Sequence, residues 1–251
     1  MTLEVPLTKA AFAVGSLWKL MISLDGFTSH KCDELATQVC AGRSFQLLNW
    51  HNNIDCKDKE KFDWVKVCLL EDEYVCWFRF SELINNAFKR ESWVPYSLNQ
   101  EQIQSKIPKV ISWVYNVAKN QNKYLWGGTI GPDFDCSGLV QSAFASSGIW
   151  LPRDAYQQEK FCENVSFDLD SLPEKLIPGD LIFFGSSDKC THVGLHIENG
   201  FYIHSSGASN GHNGIEIDVL FPFKLGKIAS FYRSRFRSAG RVISSYQRGK
   251  L

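Results

Sequence analysis

The sequence predicts an α+β protein in two parts: a small, mostly β domain, then a larger domain in which a cysteine opens a helix and histidines lie on an antiparallel sheet. Three observations predict it. Short runs of strand character separated by a charged turn occupy residues 26–90. Asp135-Cys136-Ser137-Gly138 stands at the head of an apolar, helix-periodic segment. Further on, Thr191-His192-Val193-Gly194-Leu195-His196-Ile197 and Tyr202-Ile203-His204-Ser205-Ser206 flank Asn199-Gly200, a strong hairpin-turn pair.

The elements follow in order. Residues 1–25 read as an N-terminal extension without an assigned role. In residues 26–90, Phe45 to Trp50 has short-strand character and Asn52 to Lys61 is a polar loop. Phe62 to Leu69 alternates as a half-buried strand, Glu71-Asp72-Glu73 turns the chain, and Tyr74 to Phe78 begins another strand. That pattern fits a small barrel. Residues 91–106, with Pro95 and several amides, read as a linker. The second domain is expected over 107–246, starting with a helix opened by Pro108. Asp135 is a suitable N-cap, which places Cys136 in the first turn of a helix that Gly148 stops. Strands are expected at Leu181–Phe184, His192–Glu198, Phe201–His204, Ile215–Val219 and Ile228–Tyr232.

Charge is balanced, with 27 Lys plus Arg against 27 Asp plus Glu. This argues against nucleic acid or an anionic membrane as partner. Eight cysteines show neither paired CxxC sequences nor a secreted framework, so no metal, no cofactor and no disulfide staple is expected. The five before residue 80 read as buried free thiols. No apolar run reaches transmembrane length, Lys19 interrupts the mildly apolar start, and no small-x-small cleavage site follows. The expectation is a soluble, cytoplasmic monomer, with a secreted or periplasmic protein as the alternative.

Cys136 reads as a nucleophile. A helix start and a neighbouring imidazolium favour thiolate, and a histidine can serve as base. About the two-residue turn, His192 lies nearly opposite Gly207 and His204 opposite Leu195, so a longer turn or a bulge is needed to bring the pair together. Residues 192, 194 and 196 share one face and 202 and 204 share one, so both histidines can address one side of the sheet. His196 competes with His192 for the base role. Glycines 127, 128 and 138 would let backbone approach a substrate, and the Cys136 N–H and the Tyr124 hydroxyl are candidate oxyanion donors. His30, His51 and His212 have no partners at ligand spacing.

The segment Tyr124–Val140, Leu151-Pro152-Arg153-Asp154, Pro178 to Phe184 and both histidine strands resemble the NlpC-type cell-wall cysteine peptidases, which have a papain-like fold. From about residue 26 the chain looks like the cyanobacterial members, which place a bacterial SH3-like domain first. The resemblance implies Cys136 as nucleophile, His192 as base and His204 as the group that orients it. It also implies cleavage of the γ-D-glutamyl–diamino acid bond of peptidoglycan-derived stem peptides with a free N-terminal L-alanine. Asp135 and Ser137 would meet the alanine ammonium, helped by Asp72 or Glu73 of the first domain, with Ser205 also lining the substrate. Arg153 would meet a substrate carboxylate or pair with Asp154. Ala155 stands where some relatives carry a hydroxyl. An amidase or acyltransferase on the same fold, or a non-catalytic wall-binding protein, are the alternatives.

Overall fold

A computed structural model describes residues 11–51, 63–166, 175–209, 211–220 and 226–249, without the side chains of Cys32 and Asp33. The expected loop from Asn52 to Lys61 and the first ten residues lie outside them. The chain divides into two compact units, residues 1–95 and 96–251.

The first unit is antiparallel. Its strands are β1 (Leu17–Leu20), β2 (Leu24–Ser29), β3 (Cys32–Val39), β4 (Ser44–His51), β5 (Trp64–Leu69) and β6 (Val75–Arg79). A single helical turn, α1 (Phe80–Leu83), leads to β7 (Ala87–Arg90). They form one sheet in the order β3-β2-β6-β5-β4-β1-β7. Alternation along β4 and β6 sends Phe45, Leu47, Cys76 and Phe78 into a shared core. The extension expected over 1–25 is corrected from residue 11 onward. Phe12 stacks on the fully buried Trp18 with ring centroids 3.8 Å apart, and β1 pairs with both β4 and β7. An aromatic pair of this size buries more apolar surface than a short strand could leave exposed.

Cys68 and Cys76 are buried free thiols, and a Cβ on Gly26 would come within 2.8 Å of the Cys76 sulfur. Cys40 departs from the expectation and is exposed. The acidic turn is also corrected. Asp72 is buried, its carboxylate 2.6 Å from Arg43 Nη2, and the neighbouring Glu71 bonds Arg43 Nε and the Ser44 N–H. A buried guanidinium needs such partners, so the Asp72 carboxylate is committed within this unit and is not a free anion for a substrate ammonium. Glu73 takes a left-handed φ of 56° in the same turn.

The second unit opens with α2 (Gln100–Ala118), so the expected linker ends earlier than residue 106. A capping box, Asn99 to the Gln102 N–H and Gln102 back to the Asn99 N–H, starts the helix ahead of Pro108, which lies inside it. Then come α3 (Cys136–Ala145), α4 (Ala155–Phe161), β8 (Glu163–Asn164), β9 (Leu181–Gly185), β10 (Cys190–Glu198), β11 (Phe201–Ser206) and β12 (Gly214–Val219). The unit ends with α5 (Lys227–Arg233) and β13 (Phe236–Arg241). The sheet order is β12-β11-β10-β9-β13-β8. The strand expected at Ile228–Tyr232 is instead helix α5. Its apolar residues 228, 229, 231 and 232 fit an i, i+3, i+4 stripe as well as a strand, and the stripe packs on the sheet. Among the described residues no helix is long and apolar enough to cross a membrane.

Helices α2, α3 and α4 share one core with Phe183, Val193, Leu195 and Ile203. A second core, on the opposite face of the sheet, gathers Phe184, Tyr202 and Tyr232 of α5. The hairpin between β10 and β11 decides which face each histidine takes. Glu198 pairs with Phe201 around Asn199-Gly200, both at positive φ. A bulge at Ile197 then shifts the register, so that His196 pairs with Tyr202 and Leu195 with Ile203. Without that shift His204 would face Leu195 and share its side, away from His192. Continued one residue, the shifted register sets His204 beside Gly194 on the face of His192. Gly194 is required there, because a Cβ would come within 2.6 Å of the Tyr202 ring.

Candidate active site

Cys136 is the first residue of α3, with Asp135 as its N-cap. Asp135 is buried and its acceptor capacity is filled. Oδ1 receives the Gly138 N–H at 2.6 Å, Arg153 Nη1 at 3.1 Å and the Ser137 hydroxyl at 3.3 Å. Oδ2 receives the Gly127 N–H at 2.9 Å and Arg153 Nη2 at 2.5 Å. Asp135 and Ser137, expected to meet a substrate ammonium, are thus both engaged by Arg153 in the structure. These groups tie the glycine loop to the helix start, and Arg153, 2% exposed, pairs with Asp135 and donates to the Ser137 hydroxyl. The glycines are explained the same way. A Cβ on Gly138 would lie 2.0 Å from the Gly128 carbonyl oxygen, so two backbone segments, not substrate and backbone, need the space. Ser205 is fully buried, donates to the Phe134 carbonyl at 2.7 Å and so anchors the segment just before the cysteine.

The histidines form a chain. His192 Nε2 lies 2.7 Å from His204 Nδ1, and His204 Nε2 lies 3.0 Å from Asp218 Oδ2. Burial works to raise the Asp218 carboxyl, but hydrogen bonds from His204 and His212 outweigh it and hold the group below the usual carboxylate value. An ionised carboxylate only accepts, so His204 carries its proton on Nε2. Its Nδ1 then accepts from His192 Nε2–H, which leaves Nδ1 of His192 as the nitrogen with a free lone pair. Asp218 was not anticipated from the sequence, and a lone acid on an edge strand carries no local signal. His212, read as an isolated histidine, is corrected too: its Nε2 is 3.1 Å from Asp218 Oδ2.

Burial pushes the Cys136 thiol up to about 12, with Asp135 adding to the rise and the N–H groups of Val193 and Ser137 opposing it. Burial also holds His192 well below its ordinary value, and His204 adds to this. Closing both groups from water thus disfavours their charged forms and opposes the thiolate–imidazolium pair that the helix start favours. Tyr232 of α5 stacks on His192 at 4.4 Å, and burial and then Cys136 raise its hydroxyl to about 12. Tyr124 is raised by the same two causes in the same order, so it stays a hydroxyl donor near the sulfur. A cleft of about 310 Å³ opens here, lined by Tyr124, Thr191, His192, Gly207, Tyr232 and Arg235 among others. His196 is occupied elsewhere, with Nδ1 2.9 Å from the Ile177 carbonyl and Nε2 accepting the Gly200 N–H at 3.2 Å.

Residues 121–221 match the NlpC/P60 family model. Over these residues the second unit is similar to an NlpC/P60 domain. Residues 27–83 match the bacterial dipeptidyl-peptidase Sh3 domain, so an SH3-like region precedes the NlpC/P60-like one. The bifunctional muramidase/DL-endopeptidase CwlT of Bacillus subtilis is 36% identical over 124 residues, 47% of this chain and 32% of that protein. The gamma-D-glutamyl-L-lysine dipeptidyl-peptidase of the same organism is 40% identical over 85 residues, 33% of this chain and 27% of that protein. The murein DD-endopeptidase MepS/murein LD-carboxypeptidase of Escherichia coli is 31% identical over 123 residues, 49% of this chain and 56% of that protein. The matched region thus spans about a third or less of the Bacillus relatives and just over half of the Escherichia coli one. The cytoplasmic expectation is overturned by these matches, since NlpC/P60 peptidoglycan hydrolases act outside the cytoplasm, in the wall or periplasm. The matches also give no support to the cyanobacterial affinity.

Proposed function

We propose that the NlpC/P60 domain is a peptidoglycan hydrolase that cuts the γ-D-glutamyl–diamino acid bond of stem peptides, with Cys136 as nucleophile, His192 as base and His204 as the group that orients it. The observation that carries the reading is the hydrogen-bonded run from Asp218 through His204 to His192, which leaves His192 Nδ1 free on a strand whose next residue, Val193, donates its N–H to Cys136 at the helix start. The bond type is supported by the name of the gamma-D-glutamyl-L-lysine dipeptidyl-peptidase and by the dipeptidyl-peptidase SH3 match.

The reaction is acyl transfer. As Cys136 Sγ attacks the γ-glutamyl carbonyl, its proton passes to His192 Nδ1, and the imidazolium is stabilised through His204 by Asp218. The Cys136 N–H and the Tyr124 hydroxyl serve the oxyanion. His192 then gives its proton to the leaving amine and takes one from the water that hydrolyses the thioester. With Arg153 committed to Asp135, the exposed Arg235 on the cleft wall is the cation for a substrate carboxylate.

The test is mass spectrometry of L-Ala-γ-D-Glu-diaminopimelate after incubation with the full chain. Release of L-Ala-D-Glu and free diaminopimelate is expected, and an intact peptide beside cleavage of another wall bond would overturn the assigned bond. The base is tested separately. His192→Ala should lose ~10²–10⁴-fold in kcat, while His196→Ala, which breaks only the turn contacts, should act mainly on stability. A larger kcat loss for His196→Ala would reverse the assignment.

A further inference from the structure

We infer that His204, His212 and Asp218 form a binding site for a divalent transition-metal ion, zinc by its donor set, and that an ion bound there switches off the base of the proposed active site. Their ligand atoms lie within 4.8 Å of one another, with both histidine Nε2 atoms 3.0 and 3.1 Å from the same Asp218 oxygen. Two imidazoles and a carboxylate are the three-ligand set that zinc takes with a fourth position open, at ligand distances of roughly 2.0–2.2 Å. Donors that already converge on one oxygen need only open slightly to admit an ion.

Access comes from the outer side. His204 is closed from solvent, whereas side-chain exposure is 11% at Asp218 and 27% at His212. The buried Tyr202 hydroxyl has no hydrogen-bond partner in the structure, and Tyr202 pairs in register with Asp218. It is available to a water on the ion or to the carboxylate.

The consequence for the base follows from proton bookkeeping and rests on the proposed triad. To ligate, His204 Nε2 must release its proton, and a neutral His204 then carries one on Nδ1. That N–H points at His192 Nε2, which must accept. The proton formerly on His192 Nε2 now sits on His204 Nδ1. His192 regains one from solvent at Nδ1, balancing the one that His204 released. With Nδ1 occupied, His192 cannot take the Cys136 proton. The ion therefore inhibits without touching the sulfur, through the outer ligand that holds the tautomer.

The experiment titrates Zn²⁺ into the full chain as parent, Cys136→Ala and His212→Ala, under a non-thiol reductant. Binding is followed by calorimetry, and turnover is measured for parent and His212→Ala. Cys136→Ala is expected to keep a one-equivalent site that His212→Ala weakens by at least about tenfold. His212→Ala, outside the proposed triad, is expected to turn over like the parent without metal and to resist the zinc concentration that stops the parent. Unchanged binding and inhibition in His212→Ala would overturn the proposal and place the ion on the Cys136–His192 pair or another thiol, as would no binding below about millimolar zinc. Because binding is read in Cys136→Ala, a failure of the peptidase reading and a failure of the metal site give different results.

Discussion

Replacing Cys136 by Ala is expected to lower kcat/KM on the stem tripeptide by at least ~10⁴-fold, since loss of the nucleophile in acyl-transfer enzymes costs up to about 10⁶. The fold should survive. Cys136 is 6% exposed and packs in the core of α2–α4, but the change removes a single sulfur and leaves the Asp135 cap in place, a cost of roughly 1 kcal/mol. Near-parent circular dichroism and melting temperature with no turnover is the expected pair of measurements. Residual hydrolysis within about tenfold of the parent would remove Cys136 from the role of nucleophile.

Replacing Arg153 by Met is expected to destabilise the second unit by about 3–5 kcal/mol, because it strands the Asp135 carboxylate in a buried site. At roughly 2–4 °C per kcal/mol, its thermal transition should fall by about 10 °C. Asp135 would keep the Gly127 and Gly138 N–H groups and the Ser137 hydroxyl, which lessens the loss without replacing a guanidinium. The double change Asp135→Asn with Arg153→Met should recover part of the stability, since removing both charges spares the unpaired anion. A single Arg153→Met variant melting within about 2 °C of the parent would show that the ion pair is dispensable. The same substitution separates two roles for Arg153. If it met a substrate carboxylate, KM would rise with little change in melting temperature.

Much of the NlpC/P60 domain was legible locally. Asp135 before Cys136 reads as a cap because a short acceptor is needed where the first helix N–H groups lack partners. Asn199-Gly200 reads as a hairpin turn because both positions need positive φ. What failed failed for a common reason: side-chain chemistry that depends on distant partners. Arg153 was open between a substrate carboxylate and Asp154, and it pairs with Asp135, which only the packing of α3 against the following loop brings near. Asp72 reads as an exposed turn acid until Arg43, far off in sequence, is folded against it. Tyr232 was placed on a strand, and only the apolar stripe of α5 against the sheet brings its ring onto His192.

The sequence by itself determined the nucleophile candidate, its helix, the hairpin and the two histidines, because each rests on short-range backbone requirements or on side-chain periodicity. Only the tertiary structure decided how they work together. A bulge at Ile197 moves the register by one residue, and since alternate side chains point to opposite faces, that single residue carries His204 to the side of His192. Burial then disfavours the charged forms of thiol and imidazole. Asp218, brought by β12 to the far side of His204, fixes which histidine nitrogens are engaged and leaves Nδ1 of His192, the proposed base, free of that run. A one-residue register shift and a contact between distant strands are properties of packed chains, set by the free energy of the whole sheet, and no local stretch of sequence specifies them.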